Sequence, residues 1–260
     1  MRLAIAGAGG RMGQALIESV RADDRFTLAA ALDVAGSPAL GRDVGVVIGT
    51  DVDQAVGVSD VLIDFTRPEG TLMHAAACAK HGVALVAGTT GLTAAQQDAL
   101  ARHARSIPIV HAANMSVGVN VLADLVRRAA AALGDGYDIE IVEMHHRHKV
   151  DAPSGTALML GAAAADGAGV DLKQAGVYAR EGTTGERRKG TIGFATLRGG
   201  DVVGEHVVVF AGEGERVELA HRASSRGMFA DGALRAVRFV AAHRRERRTG
   251  LYDMRDVLGL

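Results

Sequence analysis

Five consecutive residues able to carry positive charge, His145, His146, Arg147, His148 and Lys149, are followed by Asp151, Pro153, Ser154, Gly155 and Thr156, after which apolar residues resume. A charge run ordinarily means a solvated loop, but three of the chain's ten histidines within four positions beside an apolar strand fit that poorly. No metal is expected here. The histidines lack the i, i+4 spacing of a helical ligand pair, His145 in a strand faces away from the other two, and Arg147 and Lys149 repel a cation. The chemistry that suits the segment is recognition of a small, multiply anionic substrate together with proton transfer. Lys149 and Arg147 supply positive charge. The Ser-Gly-Thr turn supplies a helix N-terminus, where the Gly155 and Thr156 amides and the Thr156 hydroxyl can bind a carboxylate. Pro153 presets that helix, and Asp151 or Ser154 can cap it. A histidine placed there exchanges protons near neutral pH.

A second constellation lies at the N-terminus. GAGGRMG (7–13) leaves a short apolar run and opens an amphipathic one. The strict G-x-G-x-x-G pattern fails, but Gly7, Gly10 and Gly13 meet the variant G-x-x-G-x-x-G, with Gly9 as a fourth glycine. Such a turn brings backbone N–H groups and a helix start against a pyrophosphate. Asp33 ends the second apolar run, about 20 residues on, where a carboxylate accepts hydrogen bonds from the adenosine ribose hydroxyls. That acid, followed by Val34 rather than a cation, favours NADH, while Arg11 leaves NADPH usable. GTTG (88–91) and AANMS (112–116) follow further strand candidates; they hold the nicotinamide ribose and amide, or are ordinary turns.

These residues need elements to position them. Strand-like runs at 3–7, 26–33, 61–65, 83–88 and 107–112 alternate with helical patterns near 12–22, 71–80 and 94–105, which predicts βαβ units and a parallel sheet covered on both faces. The pattern then changes. A long helix at 117–133, a strand at 139–145 and a helix at 154–165 precede three strand-like runs at 191–197, 202–210 and 216–221, which suggest an antiparallel or mixed sheet. A last helix, 227–243, is expected to return to the first domain. The fold class is therefore α/β: a parallel-sheet nucleotide domain, 1–116 with 226–260, and an α+β mixed-sheet substrate domain, 117–225.

Composition narrows the function classes. A net charge of −1 gives no field for nucleic acid or anionic lipid, and 3% aromatic residues give no stacking platform. No apolar run is long enough to span a bilayer, and a single cysteine, Cys78, suits a reducing compartment, so the expected location is the cytoplasm. Asp64, His74, His81, His103, His243 and the run 244–248 are read as structural or solvated groups, and Cys78 as a small buried apolar residue.

EMHHRHKVDAPSGTAL (143–158) resembles the signature of the bacterial dihydrodipicolinate reductases of lysine biosynthesis. GAGGRMG, DFT (64–66), GTTG, AANMSVGVN (112–120), RGGDVVGEH (198–206) and GLYDMRDVLGL (250–260) resemble that family in order. The resemblance implies a Rossmann-like nucleotide domain, a mixed-sheet substrate and tetramerisation domain, and reduction of a cyclic dicarboxylate, 4-hydroxy-tetrahydrodipicolinate, with loss of water. It implies His145 as proton donor and acceptor and Lys149 as a second proton donor. His146, Gly155 and Thr156 match substrate-carboxylate contacts. Gly7, Ala8, Gly9, Gly10, Arg11, Met12, Asp33, Gly88, Thr89, Thr90, Ala112, Ala113, Asn114 and Met115 match nucleotide contacts. Many members carry an arginine where Val34 stands, which again favours NADH. Two other readings share the glycine loop: a nicotinamide dehydrogenase acting on an amino acid, and a non-catalytic dinucleotide sensor. Neither needs the basic segment before Ser154.

Overall fold

A computed structural model describes residues 1–225 and 227–260. The chain divides into two compact units, Met1–Val117 with Arg226–Leu260, and Gly118–Ser225. Arg226, the expected first residue of the returning segment, lies outside the described residues.

The first unit contains β1 (Arg2–Ala6), α1 (Arg11–Arg21), β2 (Thr27–Leu32), β3 (Ile48–Gly49), α2 (Val52–Gly57), β4 (Val61–Asp64), α3 (Pro68–His81), β5 (Ala84–Ala87), α4 (Ala94–His103) and β6 (Pro108–His111). Its strands pair in parallel in the order β6-β5-β4-β1-β2-β3. Alternation along the strands splits their apolar side chains between two layers. Leu3, Ile5, Val61, Ile63 and Val86 join Leu16 and Val20 of α1 on one face. Ala4, Ala6, Leu62, Leu85 and Ile109 join Val56, Ala75, Cys78 and Leu100 of α2, α3 and α4 on the other. Burial on both faces is why these strands read as continuous apolar runs. The helix ends follow local chemistry. Gly82 closes α3 in the left-handed region at φ 64°, and Thr93 opens α4 with a reciprocal capping box to Gln96.

The second unit contains most of α5 (Val117–Leu133), then β7 (Asp138–His145), α6 (Gly155–Ala168), α7 (Leu172–Ala175), β8 (Gly176–Val177), β9 (Ile192–Arg198), β10 (Gly204–Ala211) and β11 (Arg216–Ala223). The sheet order is β11-β10-β7-β9-β8. It is mixed: β7 runs antiparallel to β10 and parallel to β9. The consecutive strands β9 and β10 are thus not neighbours, because β7 lies between them. Every second residue of β7, Ile139, Ile141, Glu143 and His145, is buried. The first two pack with Leu122, Val126, Leu160 and Phe210 under α5 and α6. The last two carry the same face on into polar groups.

The chain then returns to the first unit as α8 (Gly227–Arg245), β12 (Gly250–Tyr252) and α9 (Met254–Leu258). Ala233, Leu234, Val237 and Val240 of α8 enter the first apolar layer, and β12 pairs in parallel with β6 as a new sheet edge. The short elements β3, α2, α7, β8, β12 and α9 were not expected from the sequence, since each is too short to show a period. Among the described residues no helix is long and apolar enough to cross a membrane.

Candidate active site and nucleotide cradle

In the first unit the loops after β1, β2, β4, β5 and β6 gather at the carboxyl ends of parallel strands. Strand order reverses between β1 and β4, the place where open α/β sheets take ligands. The glycine loop occupies that point. Its own amides are largely spent on the turn: those of Gly7 and Ala8 donate to the Leu32 carbonyl, that of Gly10 to the Gly7 carbonyl, and that of Gly9 to Asp33 Oδ2 at 2.8 Å. No partner among the described residues takes the amides of Arg11 and Met12. The helix start at Gly10 has no side-chain cap and no acid in its first turn. The anion-binding amides are therefore those of Arg11 and Met12, at the positive end of the α1 dipole. The glycines make this possible by sterics. A Cβ on Gly13 would stand 2.1 Å from the Gly7 carbonyl oxygen, and one on Gly9 2.5 Å from Asp33 Oδ2. This cradle, closed to any side chain and edged by uncapped amides, fits a dinucleotide pyrophosphate.

Asp33 has a second task beside the expected one. Oδ2 braces Gly9 and Oδ1 accepts the Val34 amide at 2.7 Å. Each oxygen keeps a lone pair for a ribose hydroxyl. Val34 is 73% exposed and brings no charge to this edge.

The other expected nucleotide residues divide by orientation. Thr90 and Ala113 are exposed, and Ala112, Asn114 and Gly88 half-buried. Thr89 turns inward: its hydroxyl accepts from Thr71 at 2.7 Å and its carbonyl meets His111 Nε2 at 3.0 Å. Met115 is a core side chain, 1% exposed, and a Cβ on Gly232 of α8 would stand 1.8 Å from its carbonyl oxygen. The Met115 side chain thus supports the loop from beneath. Gly88 is glycine because the Phe65 ring lies over it, where a Cβ would approach to 2.2 Å. Below Phe65, fully buried Asp64 accepts the Thr66 amide at 2.8 Å and pairs with His74 Nδ1 at 3.1 Å. Buried Cys78 also feels Asp64; burial first, then that charge, pushes its thiol above the ordinary range.

In the second unit β7 delivers His145 at its end, and the chain turns at once. The amides of His146, Arg147 and Lys149 donate to the carbonyls of Val202, Gly200 and His146. His145 is buried, His146 and Lys149 are half-buried, and Arg147 and His148 are exposed. His145 Nδ1 lies 2.6 Å from Glu143 Oε2. Lys149 Nζ donates to Asp151 Oδ1 at 2.8 Å, and that bond, more than any other influence, holds the Asp151 carboxyl below its usual range. Ser154, not Asp151, caps α6: its hydroxyl accepts the Ala157 amide at 3.0 Å. Gly155 and Thr156 form the first turn, with open space around the Gly155 α-carbon.

Behind His145 stands a set of groups that the spacing of the basic segment did not reveal. Glu143, 1% exposed, accepts two bonds from the Arg198 guanidinium (2.8 and 2.9 Å), one from the Ser154 amide (3.1 Å) and one from the Thr196 hydroxyl (3.3 Å). Burial works to raise the Glu143 carboxyl, but the bonds from Arg198 and His145 hold it below the usual range. His206, one strand over, meets the Ser154 hydroxyl at 2.8 Å, and its ring sits edge-on to His145 at 5.1 Å. Burial, then the neighbouring His145, lowers His206 to about 4, so it is neutral at pH 7. One signal was available: Glu143 and His145 are i and i+2 on one strand and must share a face.

The family profile described as dihydrodipicolinate reductase, N-terminus, matches residues 1–115, and that described as dihydrodipicolinate reductase, C-terminus, matches residues 118–258. Full-length relatives called 4-hydroxy-tetrahydrodipicolinate reductase include those of Cupriavidus necator (58% identical) and Burkholderia multivorans (57% identical), each aligned over 100% of both chains. The solved dipicolinate-bound dihydrodipicolinate reductase of Paenisporosarcina sp. TG-14 superposes with a TM-score of 0.77 at 26% identity, covering 97% of each chain. GenD2 of gentamicin A biosynthesis, solved with NAD, shares the fold at a TM-score of 0.60 and 16% identity, covering 99% of this chain and 90% of its own. Two matched profiles that together span nearly all 260 residues, and relatives above half identity end to end, agree with both sites: the chain belongs to the dihydrodipicolinate reductase family.

Proposed function

We propose that this chain reduces 4-hydroxy-tetrahydrodipicolinate to tetrahydrodipicolinate, with loss of water, in the diaminopimelate and lysine pathway of the cytoplasm. The observation that carries the reading is the meeting, in one unit, of a carboxylate-bound histidine, a lysine and the first-turn residues of a helix, Gly155 and Thr156. A bound nicotinamide supplies hydride from C4. The first unit holds its dinucleotide through Arg11, Met12 and Asp33, with Gly88, Thr90, Ala112, Ala113 and Asn114 around the nicotinamide end. NADH is preferred because Asp33 repels a 2′-phosphate and Val34 cannot attract one; Arg11 keeps NADPH usable.

In the second unit the Gly155 amide and Thr156 bind one substrate carboxylate at the positive end of α6, and His146 binds with them. Lys149 exchanges Asp151 for the substrate. An ion pair this accessible is worth only about 0–1 kcal/mol, so the exchange is inexpensive. Negative charge that develops on the ring is quenched by protons from His145 and Lys149.

The second unit also supports a homotetramer. On the sheet face opposite the helices, Val142, Met144, Val207 and Val209 are half-exposed and Leu197 is 50% exposed. They form an apolar patch that a second copy of this chain covers.

The test is coenzyme oxidation by purified protein, with substrate generated in situ from pyruvate and aspartate semialdehyde by the preceding synthase. NADH loss should require both proteins and exceed NADPH loss. Lys149→Ala should lower kcat by roughly 100-fold or more while NADH still binds. No coenzyme consumption by the native protein, with NADH binding intact, sinks the substrate assignment.

A further inference from the structure

We infer that Glu143, clamped by Arg198, is a positioning residue that fixes His145 with its proton on Nδ1 and leaves Nε2 as the nitrogen that exchanges a proton with substrate. The inference deepens the proposed function and rests on its reading of His145 as proton donor.

Glu143 takes five donors: His145 Nδ1, two Arg198 nitrogens, the Ser154 amide and the Thr196 hydroxyl. A carboxylate so surrounded has no hydrogen to give. At 2.6 Å the ring nitrogen must therefore be the donor. That assigns the Nδ1–H tautomer to the neutral ring and leaves Nε2 as its only basic nitrogen. Glu143 is in turn immobile, since Arg198 also donates to the Asp151 carbonyl at 2.6 Å and so ties β7, β9 and the turn before α6 together. On the far side of the ring, Nε2 faces the α-carbon of Gly204, where a Cβ would stand 2.9 Å away. Only hydrogen at position 204 keeps that edge of the ring clear. A structural role for Glu143, anchoring β9 and the start of α6, predicts different behaviour, and a mutant cycle separates the two.

Three variants, Glu143→Gln, His145→Gln and Glu143→Gln/His145→Gln, would be compared by steady-state kinetics, and the native ring tautomer read from its ¹⁵N resonances. If Glu143 acts through His145, Glu143→Gln lowers kcat by roughly 100-fold, the scale of an acid–base contribution. KM for NADH stays the same, and the double variant is no slower than His145→Gln. An equal further loss in the His145→Gln background makes Glu143 a scaffold and overturns the inference. Full kcat in His145→Gln rejects His145 as proton donor. The tautomer then decides the positioning claim alone: Nδ1–H in the native protein supports it, and Nε2–H overturns it. Gly204→Ala leaves Glu143 in place should the glutamine variant not fold. It should lower kcat with the Nδ1–H signature retained, and unchanged kcat rejects Nε2 as the working nitrogen.

Discussion

Replacing Arg198 by methionine keeps an apolar stem and removes the guanidinium. Glu143 then loses two bonds, at 2.8 and 2.9 Å, and keeps His145, the Ser154 amide and Thr196. Breaking a buried ion pair from one side costs about 3–5 kcal/mol, because the other charge stays buried. Arg198 is itself 21% exposed and other donors remain, so the lower end applies, about 3 kcal/mol. In a chain of this length that is a fall in Tm of roughly 6–12 °C. The deficit should depend on pH with a defined sign. The Glu143 carboxyl is held below its ordinary 4.5, against burial, by Arg198 and His145. A depressed carboxyl contributes stability that is fully present above its unfolded value and lost as pH falls through its folded value. Urea unfolding of both proteins should therefore give the full gap at pH 7 and a smaller one in acid, as Glu143 takes up its proton. A gap under about 1 kcal/mol at pH 7, or one that does not shrink in acid, refutes the clamp.

Other expectations test separate parts of the structure. The burial that lowers His206 to about 4 means its proton is taken up by the unfolded chain first. Relative to His206→Gln, native stability should fall by roughly 3 kcal/mol between pH 7 and pH 4, and a constant difference would refute the assignment. Val34→Arg should raise kcat/KM for NADPH about tenfold, the worth of one charge-assisted hydrogen bond, with little change for NADH. An unmoved NADPH to NADH ratio would show that position 34 does not face the ribose. Gly13→Ala places a Cβ 2.1 Å from the Gly7 carbonyl oxygen, so it should destabilise by about 3 kcal/mol and weaken NADH binding in a calorimetric titration. Native stability and affinity would mean the loop is not held as described.

The sequence made legible whatever had a period or a local motif. The parallel strands announced themselves as apolar runs because both faces are buried, and the stop at Gly82 and the start at Thr93 because caps are local chemistry. The basic segment pointed to His145 and Lys149 for the same reason. What could not be read were interactions whose partners lie far apart in the chain. Arg198 reaches Glu143 across a parallel pairing of β7 with β9, and His206 reaches Ser154 across an antiparallel pairing of β7 with β10. No local pattern encodes which strands become neighbours. The glycine loop was legible as a motif but not in its division of labour: Gly7 to Gly10 use their amides to build the turn, and the amides offered outward belong to Arg11 and Met12.

The return of the chain has a consequence for synthesis. The second unit, Gly118–Ser225, is contiguous, so all of its strands are synthesised before α8. The first unit emerges earlier yet cannot finish, because one face of its sheet waits for Val237 and Val240 of α8, and its β6 edge waits for β12. At about 5–20 residues per second that wait lasts on the order of ten seconds. During it Leu3, Ile5, Ile63 and Val86 present an apolar surface that α1 covers only in part. The unit begun first is completed last. A chain ending at residue 225 and released from the ribosome should accordingly be sensitive to proteolysis within residues 1–117 and resistant within 118–225.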